Sequence, residues 1–204
     1  MSRIVMVRHG ETVWHEENRY AGRSDIALTP KGQEQANKLA RWATTAGVTA
    51  VWSSPLSRAR NTAAPAAKAL GLPLQIDERL TELDFGRGEG LTSVEMAQRI
   101  PEEHTAFRLD PVTNFLPGGE DPAQAMDRAI PAIYAIAGAT APGSRSLIVA
   151  HNTLLRLVLC HLLGISLSRY RAVFPLFDNC SLTEIDLSPG KDVSLLHFNA
   201  PLLL

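Results

Sequence analysis

The apolar run at residues 4–7 ends abruptly at Arg8, His9 and Gly10, and this feature constrains the fold most strongly. A short apolar run with three β-branched members is typical of a buried strand. In open α/β sheets, ligands bind in the loops beyond the carboxyl ends of the strands. There an arginine offers donors that suit phosphate oxygens, a neutral imidazole can act as a nucleophile, and a glycine lets backbone approach a ligand. The run therefore predicts a strand that leads into a ligand site.

Further strand-like runs alternate with helix signals along the chain. The strand-like runs cover residues 48–52, 74–76, 146–150, 180–187 and 194–198. Thr29-Pro30 and Ser54-Pro55 each have the N-cap and first-turn proline of a helix start, and Asn152 is expected to cap a later helix. Strands that alternate with helices favour a largely parallel sheet with helices on both faces, so we expect an α/β fold.

Length and charge narrow the class of protein. The 204 residues suit one α/β domain over residues 1–204, with a proline- and glycine-broken, lid-like insertion around residues 86–120. The net charge of −1 gives no overall field that favours nucleic acid or a membrane surface, so we expect neither as a partner. The first apolar run is too short for a signal peptide, and no run reaches membrane-spanning length. We therefore expect a cytoplasmic protein.

Strand ends and helix starts carry groups that suit phosphoryl transfer. The groups are Arg8, His9, Arg58, Glu82 and His151. Arginines neutralise phosphate oxygens, one histidine can attack phosphorus, and a carboxylic acid can protonate the leaving alkoxide and then activate water. Glu82 needs a raised pKa for this task at neutral pH, and Glu11, Asp84 and Glu89 are nearby acids that compete for it.

Longer motifs surround these groups and resemble a known family. The motifs are residues 8–12, 18–22, 28–32, 53–63, 82 with 85–86, 117–120 and 149–151. Together they are similar to the histidine phosphatase superfamily, in its phosphoglycerate-mutase-like branch, from residue 4 to about residue 185. The resemblance implies a three-layer α/β/α sandwich with a mostly parallel sheet and one antiparallel strand.

The resemblance also implies residue roles. His9 would become phosphohistidine, Glu82 would donate the proton, and a phosphate pocket would form from Arg8, Arg58 and His151. The implied substrate-binding residues are Thr12, His15, Gly22 and Asn152, although the family usually has asparagine at position 15 and often glycine at position 152. No metal and no cofactor is implied. The implied partner is a small phosphorylated metabolite, and homodimers are frequent in the family.

Three functions remain open from the sequence. We expect a phosphatase rather than a mutase, because the segment between Glu82 and His151 is shorter than in the glycolytic mutases and is broken by prolines and glycines. A mutase must exclude water from its phosphorylated intermediate. A non-catalytic phospholigand-binding module is the third alternative, and loss of a pocket residue would favour it. A metal site at His9 and His151 is a rival interpretation, but the usual ligand spacings are absent.

Overall fold

A six-stranded sheet forms the centre of the computed structural model, which describes residues 2–187, 190 and 192–202. The strands are β1 (Arg3–Arg8), β2 (Val48–Ser53), β3 (Leu74–Ile76), β4 (Arg145–Ala150), β5 (Leu182–Asp186) and β6 (Ser194–Ala200). Their spatial order is β3-β2-β4-β1-β5-β6. The first four strands are parallel, whereas β5 is antiparallel to both of its neighbours. The predicted sheet type is confirmed.

Helices cover both faces of this sheet. The α-helices of the described chain are α1 (Pro30–Thr45), α2 (Ser57–Leu70), α3 (Ser93–Arg99), α4 (Pro101–Leu109), α5 (Pro122–Ala139), α6 (Asn152–Leu162) and α7 (Tyr170–Val173). Short 3₁₀ turns lie at Glu78–Leu80, Gly86–Gly88 and Leu167–Arg169. None of the helices within the described ranges combines the length and apolarity that crossing a lipid bilayer requires.

The central strand β1 divides the core into two layers. Ile4 and Met6 pack into the cluster formed with α5 and α6, and Val5 and Val7 pack into the cluster formed with α1 and α2. This division follows from the strand period, which sends successive side chains to opposite faces. Because both faces are covered, all four side chains are fully buried, and the fold is the predicted three-layer sandwich.

Helix starts agree with the sequence where a capping side chain is present. At α1 the Thr29 hydroxyl accepts the N–H of Gly32 at 3.0 Å, as a threonine N-cap should. The prediction that Ser54 starts α2 is wrong: the helix begins at Ser57 without a side-chain cap. The N–H of Ser54 instead donates to the carbonyl of Val149, so at Ser54 the chain is still hydrogen-bonded to β4. Asn152 is the first residue of α6 rather than its cap.

The segment at residues 86–120 contains α3 and α4 and packs as a small unit. Its Met96, Ile100, Phe107 and Leu116 form an apolar cluster together with the preceding Phe85. A capping box begins α3, because the Thr92 hydroxyl accepts the N–H of Glu95 while the Glu95 carboxylate accepts the N–H of Thr92. The segment is therefore folded on its own core beside the sheet, where it can form a wall of a site.

Candidate active site

The parallel strands bring the predicted groups to one edge of the sheet. Arg8 ends β1, Arg58 is the second residue of α2 after β2, and His151 follows β4 directly. Glu82 follows the 3₁₀ turn after β3. The carboxyl ends of parallel strands lie at one edge, so residues far apart in sequence meet there. The ring centroids of His9 and His151 are 5.3 Å apart.

His9 is held in the form that a nucleophile requires. Its Nδ1 lies 2.8 Å from the carbonyl oxygen of Gly10, and because a carbonyl only accepts, Nδ1 carries the proton. Nε2 therefore bears the lone pair. Burial lowers the pKa of His9 well below its ordinary value, and the charges of Arg58 and Arg8 lower it further. The imidazole is neutral at physiological pH and is available to attack an electrophile through Nε2.

His151 lies beside His9 and is fully buried. Its Nε2 is 2.7 Å from the Ser54 hydroxyl, a contact that the sequence did not indicate. Burial lowers the pKa of His151 well below its ordinary value, with Arg58 again the next contributor. The ring is thus neutral and fixed in orientation by the serine.

Four buried side-chain atoms have no hydrogen-bond partner within the described residues. They are Nε of Arg8, Nε of Arg58, Nδ1 of His151 and Oδ1 of Asn152. Buried polar atoms are normally hydrogen-bonded, so such atoms require an explanation. All four belong to residues that the sequence assigned to the site, and two of them are guanidinium N–H donors. Arg8 also lines the cavity beside His9, so an anion that binds there can satisfy its Nε–H donor.

Glu82 is buried at the start of α6. Its carboxylate accepts the backbone N–H groups of Leu83, Thr153 and Leu154, each at 2.9 Å. Burial raises the pKa of Glu82, although these three hydrogen bonds and the charge of Arg58 oppose the shift. A carboxyl group with a raised pKa can hold a proton nearer to neutral pH, as a general acid must.

The competing acids Glu11, Asp84 and Glu89 make ion pairs or hydrogen bonds elsewhere in the structure. Glu11 pairs with a lysine of α1 at 2.7 Å. Glu89 accepts backbone N–H groups of the loop at residues 22–24. Asp84 accepts a backbone N–H from its own loop. Of the four acids, Glu82 lines the cavity beside His9 and the other three do not.

This active-site cavity has a volume of about 480 Å³, within the range typical of small-molecule sites. Thr12, His15 and Asn152, three of the predicted substrate-binding residues, line it together with Arg8 and His9. The predicted residue Gly22 lies outside it. The Gly22 N–H donates to Glu89 at 3.0 Å, and its carbonyl accepts Nη2 of Arg58 at 2.6 Å.

His15 contacts Arg8 in the place where the family usually has asparagine. The Arg8 Nη2 donates to Nε2 of His15 at 2.7 Å, and the Thr12 hydroxyl lies 2.8 Å from Nδ1. Burial lowers the pKa of His15 to about 4, and the charge of Arg8 adds to this shift. The neutral ring can therefore accept from the guanidinium, and it helps to fix the orientation of Arg8.

Arg58 is fully buried and anchors a loop. Its Nη1 donates to the carbonyl of Ser24, and its Nη2 donates to the carbonyls of Ala21 and Gly22. Its guanidinium does not line the cavity, but its charge acts on both histidines. Contact between Arg58 and phosphate stays a prediction, and the anchoring of the loop is a role that the sequence did not indicate.

Sequence reasoning missed other residues of the site. Asn179 donates from Nδ2 to the carbonyl of His9 at 2.7 Å, and Tyr170, Arg156 and Arg171 line the cavity. Among these residues, only Arg156 could have been identified from the sequence. It lies four residues after Asn152 and therefore on the same helical face. In the part of the chain that the structure describes, no three His, Cys, Asp or Glu side chains form a group able to hold a metal ion.

Known proteins match this sequence over most or all of its length. A protein named "Probable phosphoglycerate mutase GpmB" from Citrobacter koseri is 34% identical, and the match covers 100% of this chain and 98% of that protein. Another of that name, from Salmonella newport, is also 34% identical over 94% of this chain and 87% of its own length.

Solved structures with the same fold include phosphatases. Mycobacterial glucosyl-3-phosphoglycerate phosphatase Rv2419c, solved with VO3, superposes with a TM-score of 0.88 at 27% identity and covers 98% of this chain and 100% of its own. Alpha-ribazole phosphatase from Shigella flexneri has a TM-score of 0.83 at 26% identity, over 97% of this chain and 96% of its own. The family model described as "Histidine phosphatase superfamily (branch 1)" matches residues 4–200. The chain therefore belongs to the histidine phosphatase superfamily, branch 1.

Proposed function

We propose that this protein is a metal-independent phosphatase that hydrolyses a small phosphomonoester through a phosphohistidine on His9. One observation carries the proposal. A neutral imidazole with Nε2 unprotonated lies next to the His151 ring in a cavity that Arg8 also lines, and the Nε–H donors of Arg8 and Arg58 are buried without a partner in the described residues. A tetrahedral dianion fits such a group of donors.

The first step transfers the phosphoryl group. Nε2 of His9 attacks phosphorus as the bond from phosphorus to the ester oxygen breaks. The arginines offset the negative charge on the phosphate oxygens, which are the atoms on which charge accumulates. Glu82 gives its proton to the departing alkoxide, so that an alcohol leaves and a carboxylate remains.

The second step returns the enzyme to its starting state. The Glu82 carboxylate takes a proton from a water molecule while the water oxygen attacks phosphorus. The bond between phosphorus and Nε2 breaks, inorganic phosphate leaves, and His9 regains its lone pair. Glu82 is again protonated for the next cycle. One carboxyl group thus serves as acid and then as base, which its raised pKa favours.

The test compares hydrolysis of p-nitrophenyl phosphate in EDTA by the wild type and by His9→Ala. We expect the variant to lose activity by at least about 10³-fold, because the nucleophile is removed. A 32P-labelled phosphorylated protein that is acid-labile and base-stable should be trapped from the wild type and absent from the variant.

The matched control is His161→Ala, which removes an exposed histidine of α6 outside the cavity. It should keep wild-type activity. Equal activity of the His9→Ala variant and the wild type would refute the proposal.

A mutase is the second candidate, because a relative of 34% identity carries a mutase name. The two reactions differ in whether water or a second bound substrate molecule accepts the phosphoryl group. Incubation with 3-phosphoglycerate, with and without bisphosphoglycerate as primer, distinguishes them. Hydrolysis yields inorganic phosphate, whereas a mutase yields 2-phosphoglycerate with little free phosphate.

A further inference from the structure

The backbone of His9 lies beyond the last regular pair of β1 and β5. On one side, the N–H of His9 donates to the carbonyl of Ala150 at 3.0 Å, which continues the pairing of β1 with β4. On the other side, the regular pairing of β1 with β5 ends at Val7 and Leu182. A partner for the His9 carbonyl therefore has to come from the loop before β5.

Asn179 supplies that partner with its side chain. Its Nδ2 donates to the carbonyl of His9 at 2.7 Å. The orientation of the amide follows from its chemistry, because a carbonyl only accepts and the amide atom that faces it must therefore be the NH2 nitrogen. The next residue is tied to β1 as well, since the N–H of Cys180 donates to the carbonyl of Arg8 at 2.9 Å. The amide is thus fixed beside the loop that carries the nucleophile.

The same amide also contacts His15. The Nδ2 atom of Asn179 lies 3.2 Å from Nε2 of His15, and Nη2 of Arg8 lies 2.7 Å from that same atom. A guanidinium only donates, so Nε2 is the unprotonated nitrogen of the neutral ring. The proton then lies on Nδ1, which is 2.8 Å from the Thr12 hydroxyl. Because an NH2 group has two protons, Asn179 can donate to His9 and to His15 at once.

This amide connects two parts of the site that the first chemical step needs in alignment. His9 carries the nucleophile, and His15 is the acceptor that orients the guanidinium of Arg8. These three residues line the cavity, whereas Asn179 does not. The ring centroids of His9 and His15 are 5.8 Å apart, and the two ring planes are nearly perpendicular. Displacement of either ring would misalign the nucleophile with Arg8, and errors of position of this kind are costly in rate.

We propose that Asn179 is a positioning residue, whose amide group holds the nucleophile His9 and the Arg8 acceptor His15 in a fixed relation to each other. The inference rests on the proposed phosphatase function, because that function makes His9 the nucleophile and Arg8 a donor to the phosphoryl group. Asn179 acts through its two donated hydrogen bonds rather than through its volume. It does not line the cavity, so its effect on the reaction passes through the two histidines.

The first test measures single turnovers with enzyme in excess over p-nitrophenyl phosphate, so that release of p-nitrophenolate reports the phosphorylation step alone. Asn179→Ala removes the amide, and Asn179→Asp keeps its shape but has no NH2 group to donate. Both variants should slow this step by about 10–100-fold. Asn179→Asp should be at least as slow as Asn179→Ala, because its carboxylate faces the carbonyl oxygen of His9. Asn114→Asp, the same change at an exposed asparagine outside the cavity, is the control and should keep the wild-type rate.

The second test observes His15 by NMR of 15N-labelled protein and needs no turnover. Long-range 1H–15N correlations should find the wild-type ring neutral at neutral pH, with its proton on Nδ1. The charges of Arg8, Glu11 and Arg58 also act on this ring, and they are the same in every variant. The new carboxylate of Asn179→Asp should raise the pKa of His15 by about one unit or more, whereas the control variant should leave it unchanged.

A wild-type proton on Nε2 of His15, or an unchanged single-turnover rate in both variants of Asn179, would overturn the inference. A wild-type rate in Asn179→Asp beside a slow Asn179→Ala would also overturn it, because that order indicates a role in packing alone. An unchanged pKa of His15 in Asn179→Asp would contradict the contact with the amide. These outcomes are separate from failure of the proposed function, which fails if His9→Ala hydrolyses p-nitrophenyl phosphate as the wild type does.

Discussion

At the scale of single residues, Glu82 shows how burial and hydrogen bonding oppose each other in one side chain. Burial disfavours the charged carboxylate and raises its pKa, whereas three backbone N–H donors favour the charged form. The burial effect is the larger, so the carboxyl group can act as an acid nearer to neutral pH. The N–H groups of Thr153 and Leu154 fix its position at the start of α6.

This position leads to a prediction for Glu82→Gln. An alkyl alcohol is a poor leaving group and needs a proton, whereas p-nitrophenolate leaves without one. We expect kcat for an alkyl phosphate to fall by roughly 10²–10⁴-fold and kcat for p-nitrophenyl phosphate to fall much less. Steady-state kinetics with both substrates checks this, and Glu78→Gln, an exposed acid of the preceding turn, is the control. Equal losses for the two substrates would argue against an acid role.

At position 15, histidine replaces the asparagine that is usual in the family, and it is the hydrogen-bond acceptor for the Arg8 guanidinium. Asparagine and neutral histidine can each accept a hydrogen bond, so either residue can orient the Arg8 guanidinium. Histidine differs because its lone pair disappears on protonation. With its pKa lowered to about 4, His15 keeps this lone pair at neutral pH. The departure from the family pattern is therefore compatible with a functional Arg8.

At the scale of secondary-structure elements, the loop after β1 and the start of α1 meet at two glycines. A Cβ atom at Gly10 would lie 2.6 Å from the carbonyl oxygen of Gly32, and one at Gly32 would lie 2.1 Å from the carbonyl oxygen of Glu11. Backbone atoms cannot move aside as a flexible side chain can. The loop that carries His9 is therefore held against α1 by an approach that only glycine permits.

We expect Gly32→Ala to lower the free energy of unfolding by roughly 1–3 kcal/mol, because overpacking displaces backbone. Gly138→Ala is the matched control in α5, where a Cβ atom would meet nothing within 4 Å. There alanine should stabilise the protein by roughly 0.5–1 kcal/mol, because glycine is a poor helix former. Urea denaturation of both variants measures the difference. The same sign for both changes would contradict this explanation.

At the scale of the whole molecule, the site makes stability depend on pH. His9 and His151 have a pKa well below the ordinary value of 6.5, and His15 has a pKa of about 4. As the pH falls below 6.5, histidines of the unfolded chain bind protons, whereas the buried rings of the folded state stay neutral. The folded state therefore loses stability relative to the unfolded state. Glu82 acts in the opposite direction, because its raised pKa lets the folded state bind a proton before the unfolded state does.

We expect the free energy of unfolding to fall between about pH 7 and about pH 5, by ~1.4 kcal/mol per pH unit for each ring that stays neutral, less the opposing share of Glu82. His15→Asn should make this dependence shallower, since one such ring is removed. Glu82→Gln should make it steeper. Urea denaturation at several pH values provides the measurement, and a slope unchanged in both variants would show that the buried groups do not govern stability.

The parallel sheet with helices on both faces and the strand ends that carry Arg8, His9 and His151 were predictable from local patterns in the sequence. Apolar periodicity and capping residues are local signals, and parallel strands place their carboxyl ends at one edge. The predicted start of α2 was wrong, because Ser54 makes long-range hydrogen bonds to β4 and to His151 that local sequence patterns do not reveal. The tertiary structure alone places Glu82 rather than Glu89 against the cavity, makes Arg58 the anchor of a loop, and brings Arg156 and Arg171 to the cavity. Side-chain direction in loops depends on packing between distant segments, so it cannot be predicted from residue spacing along the chain.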